Sequence, residues 1–539
     1  MSQVAVSSTS KLIKAGLFAL SMGGFALGAM PATAQVTAYK QAIAEAASDN
    51  SAVSSFYRKN GYNAIWTGSD DQSKLRRKAL FRALEEASVH GLPDQSDVIS
   101  GLMAQLKSVK TTRDLGEVEA AMSKAFVEYA RDMKTGILIP SRIDDGIVRK
   151  KTKLDADVLL AGLEDTQPGA YLRALVPNST QYRALMREKL RLEQIATYGG
   201  WGVSVPNGKY EPGDSGAGVV ALRNRLVSMG YMERSASATY DAALANAVLN
   251  FQAAHGLEQD GVAGEGTIKE INVTARERLK SVIVAMERER WLTPERGERH
   301  VLVNQTDFSA KIVDHGDITF QTRSVIGKNT GDRRSPEFSD VMEHMVINPS
   351  WYVPRSIITK EYLPKLRANP HAVSHLQVTD NRGRVVNRGS VDFSQYTART
   401  FPYAMKQPPS TRNALGLVKF MFPNKYNIYL HDTPEKHLFS REVRAYSHGC
   451  IRLHQPFEFA YALLAKQTED PEAFFQRILK SGKETRVNLE QHVPVHIIYR
   501  TAFVPNKGQA EFRRDVYGRD AKVWAALERA GVALPGVQG

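Results

Sequence analysis

Apolar residues recur at three- and four-residue spacing between residues 38 and 197, most clearly in 80–87 and 118–133. This spacing predicts amphipathic helices, because positions three or four apart lie on one helix face. Glycine and proline residues at 91–93, 136–140 and 177 would divide the region into several helices joined by turns. We therefore predict a helical scaffold, which we assign to residues 35–211.

A second helical pattern follows a linker rich in glycine and proline at residues 199–213. Two apolar faces end at Gly230 and Gly256, and an Asp260-Gly261 turn follows them. The faces consist of Val220, Leu222, Leu226 and Met229, then Ala243, Ala247, Val248, Phe251 and Gln252. This pattern resembles the three-helix peptidoglycan-binding module, and we assign it to residues 212–273. Because most of these positions are core and turn residues, a module that serves only packing is the alternative.

From residue 301 onward, apolar and polar positions alternate, as expected for β-strands. The predicted strands are 301–303, 310–313, 319–326, 345–347, 427–431 and 495–499. Residues 354–405 are instead polar and rich in proline and glycine, with one predicted helix at 357–366. An insertion of this length in a compact domain is typical of a functional lid.

These patterns together predict a multidomain α+β protein. Its parts are a helical scaffold, a three-helix module and a β-rich domain with a lid insertion. The remaining boundaries are a connecting helix at 274–300, the β-rich domain at 301–492 and a C-terminal extension at 493–539.

The first 34 residues have the pattern of an export signal. Lys11 and Lys14 precede an apolar stretch at 15–30, and Ala32 and Ala34 fit cleavage after small residues. We expect a signal peptide at 1–34 and a mature protein in the periplasm, without a transmembrane segment. An uncleaved membrane anchor is the alternative, although the apolar stretch is shorter than the roughly 20 residues that span a bilayer.

Charge and cysteine content narrow the possible partners. The formal net charge is +14, and removal of the two lysines in the signal gives 14 − 2 = +12. A positive net charge favours binding to polyanions such as nucleic acid, an anionic membrane or an acidic wall polymer, and export argues against nucleic acid.

The single cysteine, Cys450, cannot form an internal disulfide. A free thiol in an exported protein favours a chemical role over an inert one.

Cys450 lies in the run Tyr-Ser-His-Gly-Cys-Ile-Arg-Leu, and His431 stands nineteen residues upstream. An imidazole can take the proton of a thiol, which becomes a strong nucleophile as a thiolate. Gly449 would let the backbone turn tightly beside the sulfur. We also predict a helix from Pro456 to about residue 466, and its N-terminal dipole would lower the pKa of the thiol. His448 is a second candidate for the base.

Two other interpretations of this region compete with the thiol enzyme. Zinc accepts histidine and cysteine ligands, but the spacing of the candidates matches no zinc pattern. Those candidates are His431, His437, His448, Cys450 and His454. In the second interpretation Cys450 is buried and inert, and the histidines only stabilise turns.

The order of these residues resembles the signature of the L,D-transpeptidases, a histidine followed at a distance by Ser-His-Gly-Cys. Here fifteen residues separate His431 from Ser447. The stretches 286–292, 348–354, 413–420 and 429–434 resemble the large multidomain branch of that family. Two positions differ from many relatives: Arg452 stands where smaller members have asparagine, and Ser410 where relatives often have glycine.

The resemblance implies a role for each matching residue. Cys450 would be the nucleophile and His431 the proton acceptor and donor, with the backbone carbonyl of Asp432 orienting the imidazole. Ser447, His448 and Gly449 would shape the oxyanion region, and Arg452 would support the site or a substrate carboxylate. Trp351 and Tyr429 would line the donor cleft. For these two aromatic residues a plain core role is the alternative.

The implied activity is a cysteine-dependent acyl transfer on peptidoglycan in cell-wall biogenesis and cell shape. A tetrapeptide stem would form a thioester with Cys450, and a diaminopimelate amine of another stem would complete a 3-3 cross-link. No metal or organic cofactor is needed. Candidate partners are glycan synthases or outer-membrane proteins. The alternatives are an L,D-carboxypeptidase, an enzyme that attaches an outer-membrane protein to the wall, and a catalytically silent wall-binding scaffold.

Overall fold

The computed structural model describes residues 37–164, 166–292, 296–505 and 508–536. The predicted signal peptide lies outside these residues. Within them, no helix is both long and apolar enough to cross a membrane.

Seven helices of the N-terminal scaffold, as far as the structure describes it, surround an apolar core of their own, and the eighth belongs to a second core shared with later parts of the chain. The longest helix begins at a capping box, in which Thr111 and Asp114 each bond the other's backbone N–H. Its buried positions, such as Val118, Met122 and Phe126, follow the predicted spacing. The helices are α1 (Ala38–Ala46), α2 (Ser51–Lys59), α3 (Asp71–Glu85), α4 (Ser96–Ser108), α5 (Thr112–Thr135), α6 (Ala156–Glu164), α7 (Pro168–Leu175) and α8 (Thr180–Thr197).

Three helices then form the small module: α9 (Ala217–Met229), α10 (Ala242–His255) and α11 (Glu265–Ile271). The first two end at Gly230 and Gly256, whose φ angles of 82° and 65° lie in the left-handed region. Glycine takes this conformation without the penalty that a Cβ atom brings. Helix α12 (Ala275–Trp291) connects the module to the β-rich domain and packs against α8.

A nine-stranded mixed sheet forms the centre of the β-rich domain, in the order β10-β3-β11-β9-β8-β4-β12-β1-β2. Strand β2 also pairs with β3, so the sheet closes on itself. Its strands are β1 (Arg299–Asn304), β2 (Ser309–Asp314), β3 (Asp317–Gly327), β4 (Phe338–Ile347), β8 (Val418–Met421), β9 (Leu430–His431), β10 (Ala445–Ser447), β11 (Ile451–Leu453) and β12 (Thr485–Ile498). Helices α15 (Pro456–Leu464) and α16 (Pro471–Lys480) follow β11.

The insertion at 354–405 has a core of its own. It contributes to a small sheet of β5 (Trp351–Tyr352), β6 (Gln377–Thr379) and β7 (Ala404–Gln407) in the order β5-β7-β6. The predicted helix at 357–366 is broken into α13 (Arg355–Ile357), a π-helical turn (Ile358–Tyr362) and α14 (Leu363–Ala368). The C-terminal extension adds β13 (Ala502–Phe503), β14 (Glu511–Phe512) and α17 (Arg519–Arg529).

The predicted fold class, a multidomain α+β protein, is confirmed. The predicted strand at 427–431 is wrong over its first three residues, because Asn427 has a φ of 53° and the Asn424 side chain accepts from the backbone N–H groups of Tyr426 and Ile428. These contacts make a turn there, and the strand begins only at Leu430.

A buried cluster of charged residues joins the parts of the chain. Arg288 of α12 bonds Glu337 at 2.7 Å and Asp520 of α17 at 2.9 Å. Arg519 lies 3.4 Å from Glu337 and 3.6 Å from Asp144 of the scaffold region. We refer to these five residues as the ion cluster. It connects the scaffold, α12, the β-rich domain and the C-terminal extension.

The C-terminal extension also contacts the three-helix module. The ring of Phe512 stacks on His255 at 5.8 Å between centroids. Arg513 donates to the carbonyl of Ala254 at 2.7 Å, and the side-chain amide of Gln509 donates to the carbonyl of Gly230 at 2.7 Å. The module is thereby fixed against the rest of the chain by residues distant in sequence.

Candidate active site

The two residues of the predicted catalytic pair are brought together by two neighbouring strands. His431 is in β9, and Cys450 immediately precedes β11, which runs parallel to β9. In this register His431 is opposite Arg452. If the register is continued by two residues toward the start of each strand, Tyr429 is opposite Cys450. Opposite residues of paired strands point to the same face, so all four side chains line the same cavity.

This first cavity has a volume of about 940 Å³. Its walls come from strands β8, β9 and β11 on one side and from the insertion on the other. It contains seven of the predicted site residues: Trp351, Tyr429, His431, Ser447, His448, Cys450 and Arg452. Asp432 and Gly449 do not line the cavity. The backbone carbonyl of Asp432 contacts the ring of His431, and Gly449 precedes Cys450 in the chain.

The nucleophile loop, residues 447–450, is held by hydrogen bonds to its own backbone. The Ser447 hydroxyl donates to the carbonyl of Cys450 at 2.5 Å and accepts from the N–H of Gly449 at 3.0 Å. Gly449 has a φ of 119°, and a Cβ atom there would lie 3.2 Å from Ile428. Both the backbone conformation and the limited space favour glycine at this position.

Ser335 is a buried residue that the sequence analysis missed. Its hydroxyl donates to the carbonyl of Gly449 at 2.6 Å and accepts from the N–H of Gly327 at 3.0 Å. Its own carbonyl accepts from Arg519 at 2.9 Å. Ser335 therefore links the ion cluster to the peptide unit that precedes Cys450. No sequence pattern marks a serine 115 residues away as a partner of this loop.

Burial disfavours the thiolate form of Cys450. The surrounding protein raises its pKa to about 11, although the residue is partly open to the cavity. The Sγ atom lies 3.4 Å from the carbonyl of Asn427, to which it donates. The backbone N–H and hydroxyl of Tyr429, and then the charge of Arg452, act in the opposite direction and lower the pKa.

The helix predicted from Pro456 is present, but the predicted effect of its dipole on the thiol is wrong. Residues Ile451–Leu453 form β11, and α15 begins only at Pro456. The helix dipole weakens beyond the first turn, so it is not directed at the sulfur from the next residue. The pKa of the thiol is raised rather than lowered.

His431 is buried and neutral. Its Nδ1 is 2.5 Å from the carbonyl of Asp432, and because a carbonyl only accepts, Nδ1 carries the proton. Nε2 is then the ring nitrogen that can accept a proton. Burial and, next, the positive charge of Arg452 lower the pKa of the imidazole to about 3. The Asp432 carboxylate accepts from the backbone N–H of Leu417 and from Lys436.

His448 makes its contact away from the sulfur. Its Nε2 lies 2.7 Å from a carboxylate oxygen of Glu361, which also pairs with Arg333 at 2.5 Å. Glu361 belongs to the insertion. His448 thus joins the nucleophile loop to the insertion, whereas His431 lies in the strand beside Cys450.

Arg452 and Trp351 border the first cavity from opposite sides. Arg452 forms an ion pair with Glu435. Trp351 is packed in the core of the insertion, edge-on to Tyr362 at 6.5 Å between ring centroids. In the described part of the chain, no group of three or more His, Cys, Asp or Glu side chains has the arrangement of a metal site.

Three known families match successive parts of the chain. Residues 298–497 match the L,D-transpeptidase catalytic domain, residues 51–188 a scaffold domain, and residues 215–271 the "Putative peptidoglycan binding domain". The chain therefore contains an L,D-transpeptidase catalytic domain together with a peptidoglycan-binding domain, which confirms the resemblance seen in the sequence.

A curated relative and two solved structures resemble this chain. A Haemophilus influenzae protein named "Putative L,D-transpeptidase" is 31% identical over 259 residues, which are 48% of this chain and 50% of that protein. The chain thus spans about half the length of this relative. The L,D-transpeptidase structures from Xylanimonas cellulosilytica and Stackebrandtia nassauensis are 16% and 14% identical, cover 55% of this chain and 98% and 97% of their own, and have TM-scores of 0.17 and 0.20.

Proposed function

We propose that this protein is a peptidoglycan L,D-transpeptidase that forms 3-3 cross-links through a thioester on Cys450. The observation that carries the proposal is the pairing of β9 with β11, which brings His431 and Cys450 into one cavity of a matched catalytic domain. The peptidoglycan-binding domain at 215–271 supports the same substrate.

In the first half-reaction, the sulfur of Cys450 attacks the carbonyl carbon of the diaminopimelate in a tetrapeptide stem. Nε2 of His431 takes the thiol proton and then gives it to the departing amine of D-alanine. The Asp432 carbonyl keeps the required tautomer, because it accepts from Nδ1. The C–S bond forms and the C–N bond breaks, which leaves a thioester.

The opposite directions of the two pKa shifts bear on how this proton moves. With the thiol near 11 and the imidazole near 3, a separated thiolate and imidazolium are not the resting state. We therefore propose that the proton leaves the sulfur as the C–S bond forms. The N–H and hydroxyl of Tyr429 and the charge of Arg452 stabilise the negative charge that develops there.

In the second half-reaction, an amine of a neighbouring stem attacks the thioester, with His431 taking its proton and returning it to the sulfur. Water would compete with this amine. The insertion covers the first cavity and is linked to its rim by Glu361 with His448 and by Lys360 with Asp332. We propose that it limits the entry of water, as closing elements do in other enzymes.

We place this activity in the periplasm, with stem peptides as substrates and glycan synthases or outer-membrane proteins as candidate partners. Water as acceptor would make the enzyme an L,D-carboxypeptidase. An amine on an outer-membrane protein would make it a wall-anchoring enzyme. The same Cys450 thioester serves each of these reactions, so only the products distinguish them.

Mass spectrometry of products from disaccharide-tetrapeptide tests the proposal. Wild-type protein is expected to release D-alanine and give a cross-linked dimer, whereas Cys450→Ala gives neither, because the nucleophile is absent. His431→Ala is expected to lower D-alanine release by at least a hundredfold. His437→Ala, which removes an exposed histidine outside the first cavity, is the matched control.

Each product pattern has its own meaning. Tripeptide without dimer would identify the carboxypeptidase. A dimer formed equally well by Cys450→Ala would overturn the thioester mechanism. Unchanged substrate with wild-type protein would favour a protein acceptor or the silent scaffold.

A further inference from the structure

Lys419 places a positive charge beside the predicted base of the first cavity. In the antiparallel pairing of β8 with β9, Lys419 is opposite His431. Their chain neighbours Phe420 and Leu430 lie in the apolar core of the β-rich domain, on the other face of the two strands. Lys419 and His431 both line the cavity. Because opposite side chains of paired strands are neighbours, a group held against His431 lies within reach of Lys419.

The other charged groups that line the first cavity are almost all engaged with the protein itself. Its three carboxylates each form an ion pair with a cation of the same lining: Asp332 with Lys360, Glu361 with Arg333 and Glu435 with Arg452. Arg355 donates to backbone carbonyls of the insertion. Of the six lysine and arginine residues in the lining, only Arg412 and Lys419 remain.

Lys419 is the more enclosed of these two cations. Arg412 is exposed, whereas Lys419 is partly buried. In the part of the chain that the structure describes, the ammonium of Lys419 has neither an ion-pair nor a hydrogen-bond partner. Burial lowers the pKa of Lys419, and the negative charge of Glu484 opposes that shift without forming an ion pair. The cavity thus contains an ammonium that has lost part of its hydration and has gained no partner.

Such an ammonium favours an anionic ligand, because no described carboxylate of the lining is free to pair with it. A ligand carboxylate would form a charge-assisted hydrogen bond with Lys419, which is stronger in a partly dehydrated site than on an open surface. The proposed donor stem has a carboxylate close to the base. His431 gives its proton to the departing amine of D-alanine, and the carboxylate of D-alanine is attached to the carbon beside that nitrogen.

We propose that Lys419 binds the carboxylate of the D-alanine that leaves the donor stem, and that this contact selects stems with a free carboxylate at that residue. The inference rests on the proposed transpeptidase function. A lysine suits the role, because its ammonium is a compact charge on a flexible stem and can follow the carboxylate as the nitrogen departs. A stem with a terminal carboxamide keeps the bond that is broken but cannot form the ion pair.

Release of the terminal residue from two matched stems tests this assignment. The stems are disaccharide-tetrapeptide with a free terminal carboxylate and the same compound with a terminal carboxamide. Wild-type protein is expected to have a kcat/KM about thirtyfold higher for the acid, because only the acid bonds the ammonium. Lys419→Met is expected to lower kcat/KM for the acid to the level of the carboxamide, and Lys419→Arg to keep part of the preference.

A matched control and the comparison of the two stems exclude other roles. Lys466→Met removes an exposed ammonium of the same domain outside the first cavity and is expected to keep the preference. The charge of Lys419 contributes to the lowered pKa of His431, so a role through the imidazole alone would change both stems by the same factor. An equal loss for both stems in Lys419→Met, or no preference in wild-type protein, would overturn the assignment.

A binding measurement separates this inference from the proposed function. Isothermal titration of Cys450→Ala with each stem measures affinity without turnover. The acid is expected to bind about tenfold more tightly than the carboxamide, and Lys419→Met in the same background is expected to abolish the difference. If wild-type protein releases no D-alanine, the proposed function fails, but the titrations still decide the role of Lys419. Equal affinities of Cys450→Ala for the two stems would reject it.

Discussion

At the scale of single residues, the candidate site keeps both members of its pair uncharged. Burial disfavours the charged form of each group, so it raises the pKa of Cys450 and lowers that of His431. A neutral thiol is a weak nucleophile, and this state protects the cysteine from adventitious oxidation. Reactivity would then depend on a bound substrate that excludes water and whose carbonyl carbon bonds the sulfur as the proton leaves.

The pH dependence of alkylation tests the thiol. Because only the thiolate reacts and its pKa is about 11, the rate of iodoacetamide alkylation is expected to rise about tenfold per pH unit from 7 to 10. Cys450 is the only cysteine, so total incorporation reports on it alone. A free peptide of residues 446–453 is the control, and its rate is expected to level off near pH 9. A plateau below pH 9 in the folded protein would contradict the raised pKa.

At the scale of secondary-structure elements, two short strands position the side chains of the candidate site. Strands β9 and β11 contain two and three residues, yet their parallel pairing sets which side chains face the first cavity. The nucleophile loop between β10 and β11 depends on Gly449 for its conformation and on Ser335 for its anchor. A partner from outside the loop thus fixes the peptide unit beside Cys450.

Substitution of Ser335 tests that anchor. Ser335→Ala leaves the carbonyl of Gly449 and the N–H of Gly327 without their partner in a buried place, which costs roughly 1–3 kcal/mol. We expect D-alanine release to fall about tenfold with little change in KM, and Ser335→Thr to restore most of it. Ser481→Ala, which removes an exposed hydroxyl of the same domain, is the matched control. Equal rates for Ser335→Ala and Ser481→Ala would exclude a positioning role.

At the scale of the whole molecule, the ion cluster holds four parts of the chain together. Its members come from the scaffold region, α12, the β-rich domain and α17, and they are nearly inaccessible to solvent. Through Ser335 the same cluster reaches the nucleophile loop. Domain packing and site geometry are therefore coupled by direct contacts.

Removal of one cluster cation tests this coupling. Arg288→Met leaves Asp520 buried without its ion-pair partner and Glu337 with only Arg519, which costs about 3–5 kcal/mol. We expect a lower urea midpoint of unfolding and lower D-alanine release. Arg82→Met breaks the exposed pair with Glu86 and is expected to change stability by less than about 1 kcal/mol. Equal midpoints for the two variants would show that the cluster does not stabilise the assembly.

The sequence by itself determined what depends on local pattern. Helix periodicity, strand alternation and the spacing of His431 from the Ser-His-Gly-Cys run were sufficient for the fold class and the catalytic-domain family. Only the tertiary structure decided what depends on contacts between distant residues. Those features are the pairing of β9 with β11, the Ser335 anchor and the raised pKa of Cys450. Burial and strand register arise from the packing of the whole chain, and no short stretch of sequence encodes them.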